Sequence, residues 1–122
     1  MASLPSLLQA GMGAEEFDRY TRGKTLFFGN DGEPYGVERY LEGRRVIWSF
    51  LDGNCKYGSW YEDAGQICFL YEDRPFDPQC WTFTETPGGL NARFENDPLA
   101  TELYEAQDMG EEMLCYGPDV GV

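Results

Sequence analysis

Histidine is absent from this chain. That removes the commonest general base, the commonest transition-metal ligand and the usual near-neutral pH switch. Ser-His-Asp and Cys-His nucleophilic arrangements cannot form within it. No Cys-x-x-Cys pair occurs either, so zinc ribbons and thioredoxin-type centres lack their usual spacing. No apolar run is long enough to span a bilayer as a helix. Positive charge is scarce, with 9 Lys and Arg against 22 Asp and Glu and a formal net charge of −13. A field of that sign repels phosphate backbones and anionic headgroups, so neither nucleic-acid binding nor membrane insertion is expected. The shortage is uneven. No Lys or Arg follows Arg93, while Glu95, Asp97, Glu102, Glu105, Asp108, Glu111 and Glu112 continue the acidic series. Solubility is the plain reading of that charge. The sharper reading is a partner with a basic face, and the C-terminal part is the place for a cationic partner or a bound cation.

What is present suits one small β domain. At 122 residues the chain buries a modest core that covalent staples would help. A hydrophobic share of 42% and an aromatic share of 16% argue against disorder despite the charge. The opening MASLPSLLQAGMGA is apolar but lacks a basic n-region. Residues 1–13 therefore read as a flexible lead-in or a trimmed signal remnant, and residues 14–122 as a single β-barrel domain.

One helical signal stands out. In AEEFDRY, Phe17 and Tyr20 fall three apart on one face, acids lead, Arg19 and Arg22 follow, and Gly23 is the stop. Short β-like runs then alternate with turn residues. The expected strands are 24–28, 35–41, 45–51, 55–62, 66–72, 79–85, 90–95 and 101–106, with Gly29-Asn30-Asp31-Gly32 as a strong turn signal. Connections of hairpin length pair sequential neighbours. A meander of this many strands curls and closes, which removes its edges. The expected fold is mainly β: a small antiparallel meander closing into a lipocalin-like barrel, with the short N-terminal helix over one open end. An open sheet or sandwich is the alternative.

The segment GQICFLYEDRPFDPQCWTF poses the question of the cysteines. Strand alternation puts Ile67, Phe69 and Tyr71 on one face and Cys68 on the other. It likewise separates Trp81 and Phe83 from Cys80. With the aromatic faces inward, both cysteines lie outside. A hairpin centred near Arg74 sets Cys68 opposite Cys80, where Cβ atoms are about 4.5–5.5 Å apart and within reach of a cross-strand disulfide. Cys55 and Cys115 remain, and pairing them would tie the tail to the barrel. Loop closure assigns about 3 kcal/mol to the short loop and about 4 kcal/mol to the long one. Two disulfides are favoured over free structural thiols or a metal or redox site, and they imply an oxidising compartment, periplasmic or secreted.

The elements YGVERYL, RRVIW, Cys55-Lys56-Tyr57-Gly58-Ser59-Trp60, QICFLYE, Gln79-Cys80-Trp81 and LCYGPDVGV cover most of the chain from Tyr35 onward. In these the chain resembles a family of small, uncharacterised alphaproteobacterial proteins predicted to be secreted or periplasmic. The resemblance implies export and paired cysteines. It brings no activity, substrate or catalytic residue.

Candidate chemistry is weighed against plainer roles. Trp48, Phe50, Trp60, Phe69 and Trp81 are the candidate ligand-binding residues, as the apolar lining of a pocket for a small molecule. Packed core is the plainer role, because barrels this small are often filled by side chains. Gly58, on the face of Trp60, either relieves crowding or leaves room for a ligand. Glu33, Glu38, Asp52, Glu62, Asp63, Glu72, Asp73 and Asp77 include possible acid–base pairs for hydrolysis, but turns account for most of them. Glu38 is the exception, mid-strand beside Arg39, and a buried Glu38–Arg pair is conceivable. Asn30-Asp31-Gly32-Glu33 offers calcium-type oxygens without EF-hand spacing, and a plain hairpin turn is favoured. No cofactor, metal or catalytic residue is expected. The leading reading is a non-enzymatic extracytoplasmic binding module for a small apolar ligand or a protein partner. An acidic inhibitor or immunity-type protein masking a basic partner is the alternative, and a carboxylate-dependent hydrolase comes third.

Overall fold

The computed structural model describes residues 11–96, 101–106 and 113–115. Helix α1 (Ala14–Thr21) comes first. Eight strands follow: β1 (Thr25–Asn30), β2 (Glu33–Tyr40), β3 (Arg45–Ser49), β4 (Cys55–Asp63), β5 (Gln66–Tyr71), β6 (Gln79–Thr86), β7 (Gly89–Phe94) and β8 (Glu102–Ala106). Each pairs antiparallel with the next, and β1 pairs with β8, so the sheet is a closed barrel. The expected meander and its closure are both present.

Turn chemistry fixes the registers. Asp31-Gly32 and Ala64-Gly65 each place two successive residues at positive φ (53° and 81°, 53° and 85°). That is the two-residue turn whose twist matches the flanking strands. It sets Asn30 opposite Glu33 and Asp63 opposite Gln66. The first turn is therefore Asp31-Gly32 alone, because Gly29 and Asn30 stay in β1 beyond a register shift after Phe28. Asn30 sends its side-chain amide to the Glu102 carbonyl (3.3 Å), so the four-residue stretch is a hairpin end.

Alternation directs Leu26, Phe28, Tyr40, Val46, Trp48, Trp60, Ile67, Phe69, Tyr71, Phe83, Leu90, Ala92 and Leu103 into the core. Cys68 faces Cys80 across β5 and β6, and the two are disulfide-bonded. Cys55 and Cys115 form the second disulfide, leaving no free cysteine among the described residues. The first pair lies on the outer wall as alternation requires, with Cys68 itself buried.

Helix α1 plugs one end. Phe17 is fully buried, with its ring 4.6 Å from Phe83, 5.0 Å from Trp60 and 5.6 Å from Tyr40 between centroids. Burying one such side chain stabilises the fold by roughly 1.5–3 kcal/mol. The helix start has no side-chain cap of its own. Its Ala14 N–H instead donates to Glu62 of β4 (2.8 Å), which satisfies an orphan donor and sets a carboxylate at the positive end of the dipole. Tyr20 donates its hydroxyl to Glu105 of β8 (2.7 Å). Met12, in the stretch expected as lead-in, is buried and donates its N–H to the Phe83 carbonyl (2.8 Å). Residues 1–10 lie outside the described residues.

Candidate functional site

Above the layer that Phe17 touches, the barrel is hollow. A cavity of about 620 Å³ opens at the end opposite α1. Two clusters of rings line it. Tyr35, Trp48 and Phe50 meet edge-on or tilted at 5.2–6.0 Å between centroids. Across the opening, Trp81 and Phe94 lie 4.8 Å apart. Phe69 and Tyr71 stack in parallel at 6.2 Å on the wall between. The inside is thus packed below and open above, and the choice between pocket and filled core resolves by depth.

Glycines make this lining possible. A Cβ at Gly36 would overlap the Trp48 indole, so the absence of a side chain on β2 lets that ring lie flat against the wall. A Cβ at Gly58 would overlap the Leu70 carbonyl oxygen and press on the Tyr71 ring. Gly58 therefore serves the close approach of β4 and β5, the crowding reading.

The polar heart of the cavity is Glu38. Alternation turns Gly36, Glu38 and Tyr40 inward and Arg39 outward to solvent. The possible Glu38–Arg pair does not form among the described residues. The partner is Tyr71, which donates its hydroxyl to Glu38 Oε2 at 2.8 Å. Glu38 is only 3% exposed. Burial pushes its carboxyl well above the usual carboxylate range, and the Tyr71 bond offsets this in part. Tyr40, on the same face, is 1% exposed, and its hydroxyl has no hydrogen-bond partner. Burial, then the neighbouring carboxylates, raise both tyrosine hydroxyls well above 10. A carboxylic acid and a free phenol thus share an apolar chamber.

Charges gather at the rim, already paired. Lys56 contacts Asp73 at 2.6 Å and Arg74 contacts Asp77 at 2.5 Å. Two of the other acids singled out in the sequence serve local geometry. Asp52 accepts the Asn54 N–H, and Glu62 holds the helix start. Of the C-terminal acidic series, Glu105 is bound to Tyr20 and to the Leu90 N–H, Glu95 accepts from Thr82 and Glu102 from Tyr104. Asp97, Asp108, Glu111 and Glu112 lie outside the described residues. Among the described residues no group of three or more acids and cysteines is placed to hold a metal.

Four of the five candidate ligand residues line the cavity: Trp48, Phe50, Phe69 and Trp81. Trp60 does not. It sits at the closed end between Phe17 and Arg44, whose guanidinium lies 4.7 Å over its ring. Tyr35, Tyr40, Tyr71 and Phe94 were not singled out as lining; the inward phase of β2, β5 and β7 would have reached Tyr40, Tyr71 and Phe94, whereas Tyr35 is out of phase with Gly36, Glu38 and Tyr40 and lies at the β1–β2 register shift.

The fold and site together define a class: a small up-and-down β-barrel, plugged by a helix, stapled by two disulfides and hollow at its open end. Comparison of the chain with protein-family models, with curated proteins and with solved structures finds no match.

Proposed function

We propose that this protein is a non-enzymatic extracytoplasmic binding module that holds one small, largely apolar molecule inside its barrel. The observation that carries the reading is the aromatic cavity of about 620 Å³ with a small polar cluster at depth. Ligand sites are commonly roughly 300–1,000 Å³, apolar, with a few placed polar groups. Eight-stranded barrels either fill with side chains or hold one small ligand. Disulfides persist in oxidising compartments, and the resemblance to small proteins predicted to be exported supports the periplasm or the medium. Among the described residues no helix is long and apolar enough to cross a membrane. Arg39, Arg93 and Glu102 point outward from the strands, which supports a water-facing wall over a lipid-facing one.

The test uses the neutral dye N-phenylnaphthylamine, whose emission rises in apolar surroundings. The expected result is saturable binding, lost in Ala92→Phe, where an added ring fills space from a buried, cavity-lining position. A folded wild type that leaves the dye in water would remove the reading. The masking of a basic partner rests on the charge of −13. It predicts a salt-sensitive protein complex whose formation is indifferent to Ala92→Phe.

A further inference from the structure

We infer that the cavity is a site for an organic ammonium ion, an amine carried on an apolar, ring-sized body, with Glu38 as its counter-ion. The inference rests on the binding-module reading and names its ligand class. Three observations converge on it. Glu38 is an acid buried in an apolar chamber with no basic partner among the described residues. Tyr40, a second lining residue on the same face as Glu38, carries a buried hydroxyl with no hydrogen-bond partner, so no protein donor or acceptor competes for the polar floor of the chamber. The walls are rich in aromatic rings, including Tyr35, Trp48, Phe69, Trp81 and Phe94, and a ring face attracts a cation through its quadrupole. The chain's net charge of −13 draws cations toward the mouth. The rim cations do not oppose this, since Lys56 and Arg74 are each neutralised by Asp73 and Asp77.

The other ligand classes fit less well. An anion would meet Glu38 and the ring faces with no free positive group. A neutral alcohol would be accommodated but would leave the carboxyl unused as a charge. An ammonium donates to Glu38 while its body packs among the rings that include Trp48 and Trp81.

Proton balance follows from the empty site. The groups facing Glu38 are Tyr71 from β5 and Tyr40 from its own strand, with Leu26 and Trp48 opposite it on the flanking strands. Toward the mouth lie the Lys56–Asp73 and Arg74–Asp77 pairs, and Glu105 acts on Tyr40 from β8. Both tyrosines stay neutral near pH 7, and burial holds Glu38 toward its protonated form. The ammonium arrives with its proton. At a pH where the empty-site carboxyl holds its proton, Glu38 becomes carboxylate in the complex and that proton leaves to solvent.

The experiment displaces bound N-phenylnaphthylamine with phenethylamine, phenethyl alcohol or hydrocinnamate, three probes sharing one body. Calorimetry in buffers of different ionisation enthalpy counts the protons. The expected result is amine preference of roughly tenfold or more over the alcohol, as for a desolvated charge pair. Hydrocinnamate should bind weakest, and the amine alone should release a proton. In Glu38→Gln the preference for amine over alcohol and the proton release vanish, and a cooperative thermal transition of the variant reports that it folds. If the dye binds but amine and alcohol compete equally, the ammonium inference is overturned and the module reading stands. If the dye does not enter the wild-type barrel, both fall.

Discussion

Glu38→Gln has a second consequence, in stability, that needs no ligand. The carboxyl is buried and raised well above its reference of 4.5. In the unfolded chain it titrates near that reference. Below pH 4.5 both states hold the proton, and the residue adds no pH dependence. Above it the unfolded chain releases the proton while the folded chain keeps it. The folded state then binds more protons, so stability falls as pH rises, by about 1.4 kcal/mol per unit, until the folded carboxyl itself ionises. Glutamine keeps an acceptor for the Tyr71 hydroxyl and does not titrate. For a chain of this length 1 kcal/mol corresponds to about 3–5 °C in Tm. The Tm difference, variant minus wild type, should therefore grow by about 4–7 °C per pH unit through this window. Differential scanning fluorimetry between about pH 4 and pH 8 reads it, below the range where buried tyrosines titrate. The remaining acids and their mutual repulsion are common to both proteins and cancel in the difference. Glu38→Leu is the control. It leaves the buried Tyr71 hydroxyl unpaired and should cost about 1–3 kcal/mol at the low-pH end, where Glu38 carries no ionisation penalty. Parallel wild-type and Glu38→Gln curves would refute the burial argument for Glu38.

Three further perturbations probe the frame. Gly36→Ala places a methyl in the Trp48 indole, so the ring must swing toward the cavity. About 1–3 kcal/mol of stability should be lost, with a changed tryptophan emission and weaker dye uptake; unchanged emission would contradict the contact. Replacing Cys55 and Cys115 by serine should cost about 4 kcal/mol, and replacing Cys68 and Cys80 about 3 kcal/mol, in urea unfolding. Intact mass of the denatured, unreduced chain should show no alkylation, whereas four additions would overturn both bonds. Phe17→Ala should cost about 3–5 kcal/mol, and a loss under about 1 kcal/mol would mean that the helix is not the plug.

The strands were legible because their signals are local. Dipeptides such as Asp31-Gly32 and Ala64-Gly65 punctuate the meander, and alternation between them decides which side chains face in. The Cys68–Cys80 opposition followed from the same alternation and the length of one loop. What stayed hidden depends on height along the barrel axis. Trp48 and Trp60 both face inward, yet one lines the cavity and the other lies beneath the helix. Alternation sorts residues into inside and outside but carries no information on depth, which is set by strand stagger and by how far Phe17 penetrates. Glu38 illustrates a second limit. Its neighbour in sequence, Arg39, is the wrong partner because adjacent strand residues point apart. The right one, Tyr71, comes from β5 and meets Glu38 across the barrel interior.

The same geometry explains where the covalent staples sit. At the closed end the connections are short, and Phe17 with its surrounding rings supplies packing. At the open end the loops 50–54 and 72–78 are longer, and the interior between them is cavity rather than side chain. A hollow half forgoes the dispersion and burial that hold a filled one. Cys55 anchors Cys115 at the root of the first of these loops. Cys68–Cys80 clips together the strands flanking the second, and Lys56–Asp73 joins the two sides of the rim. Cross-links act on the unfolded chain as much as on the folded one. They stabilise the barrel without placing any atom in the chamber. A mouth kept rigid while empty loses less freedom when a ligand arrives. On this reasoning the disulfides and the cavity form one arrangement, and reduction should weaken dye binding even at temperatures where the barrel remains folded.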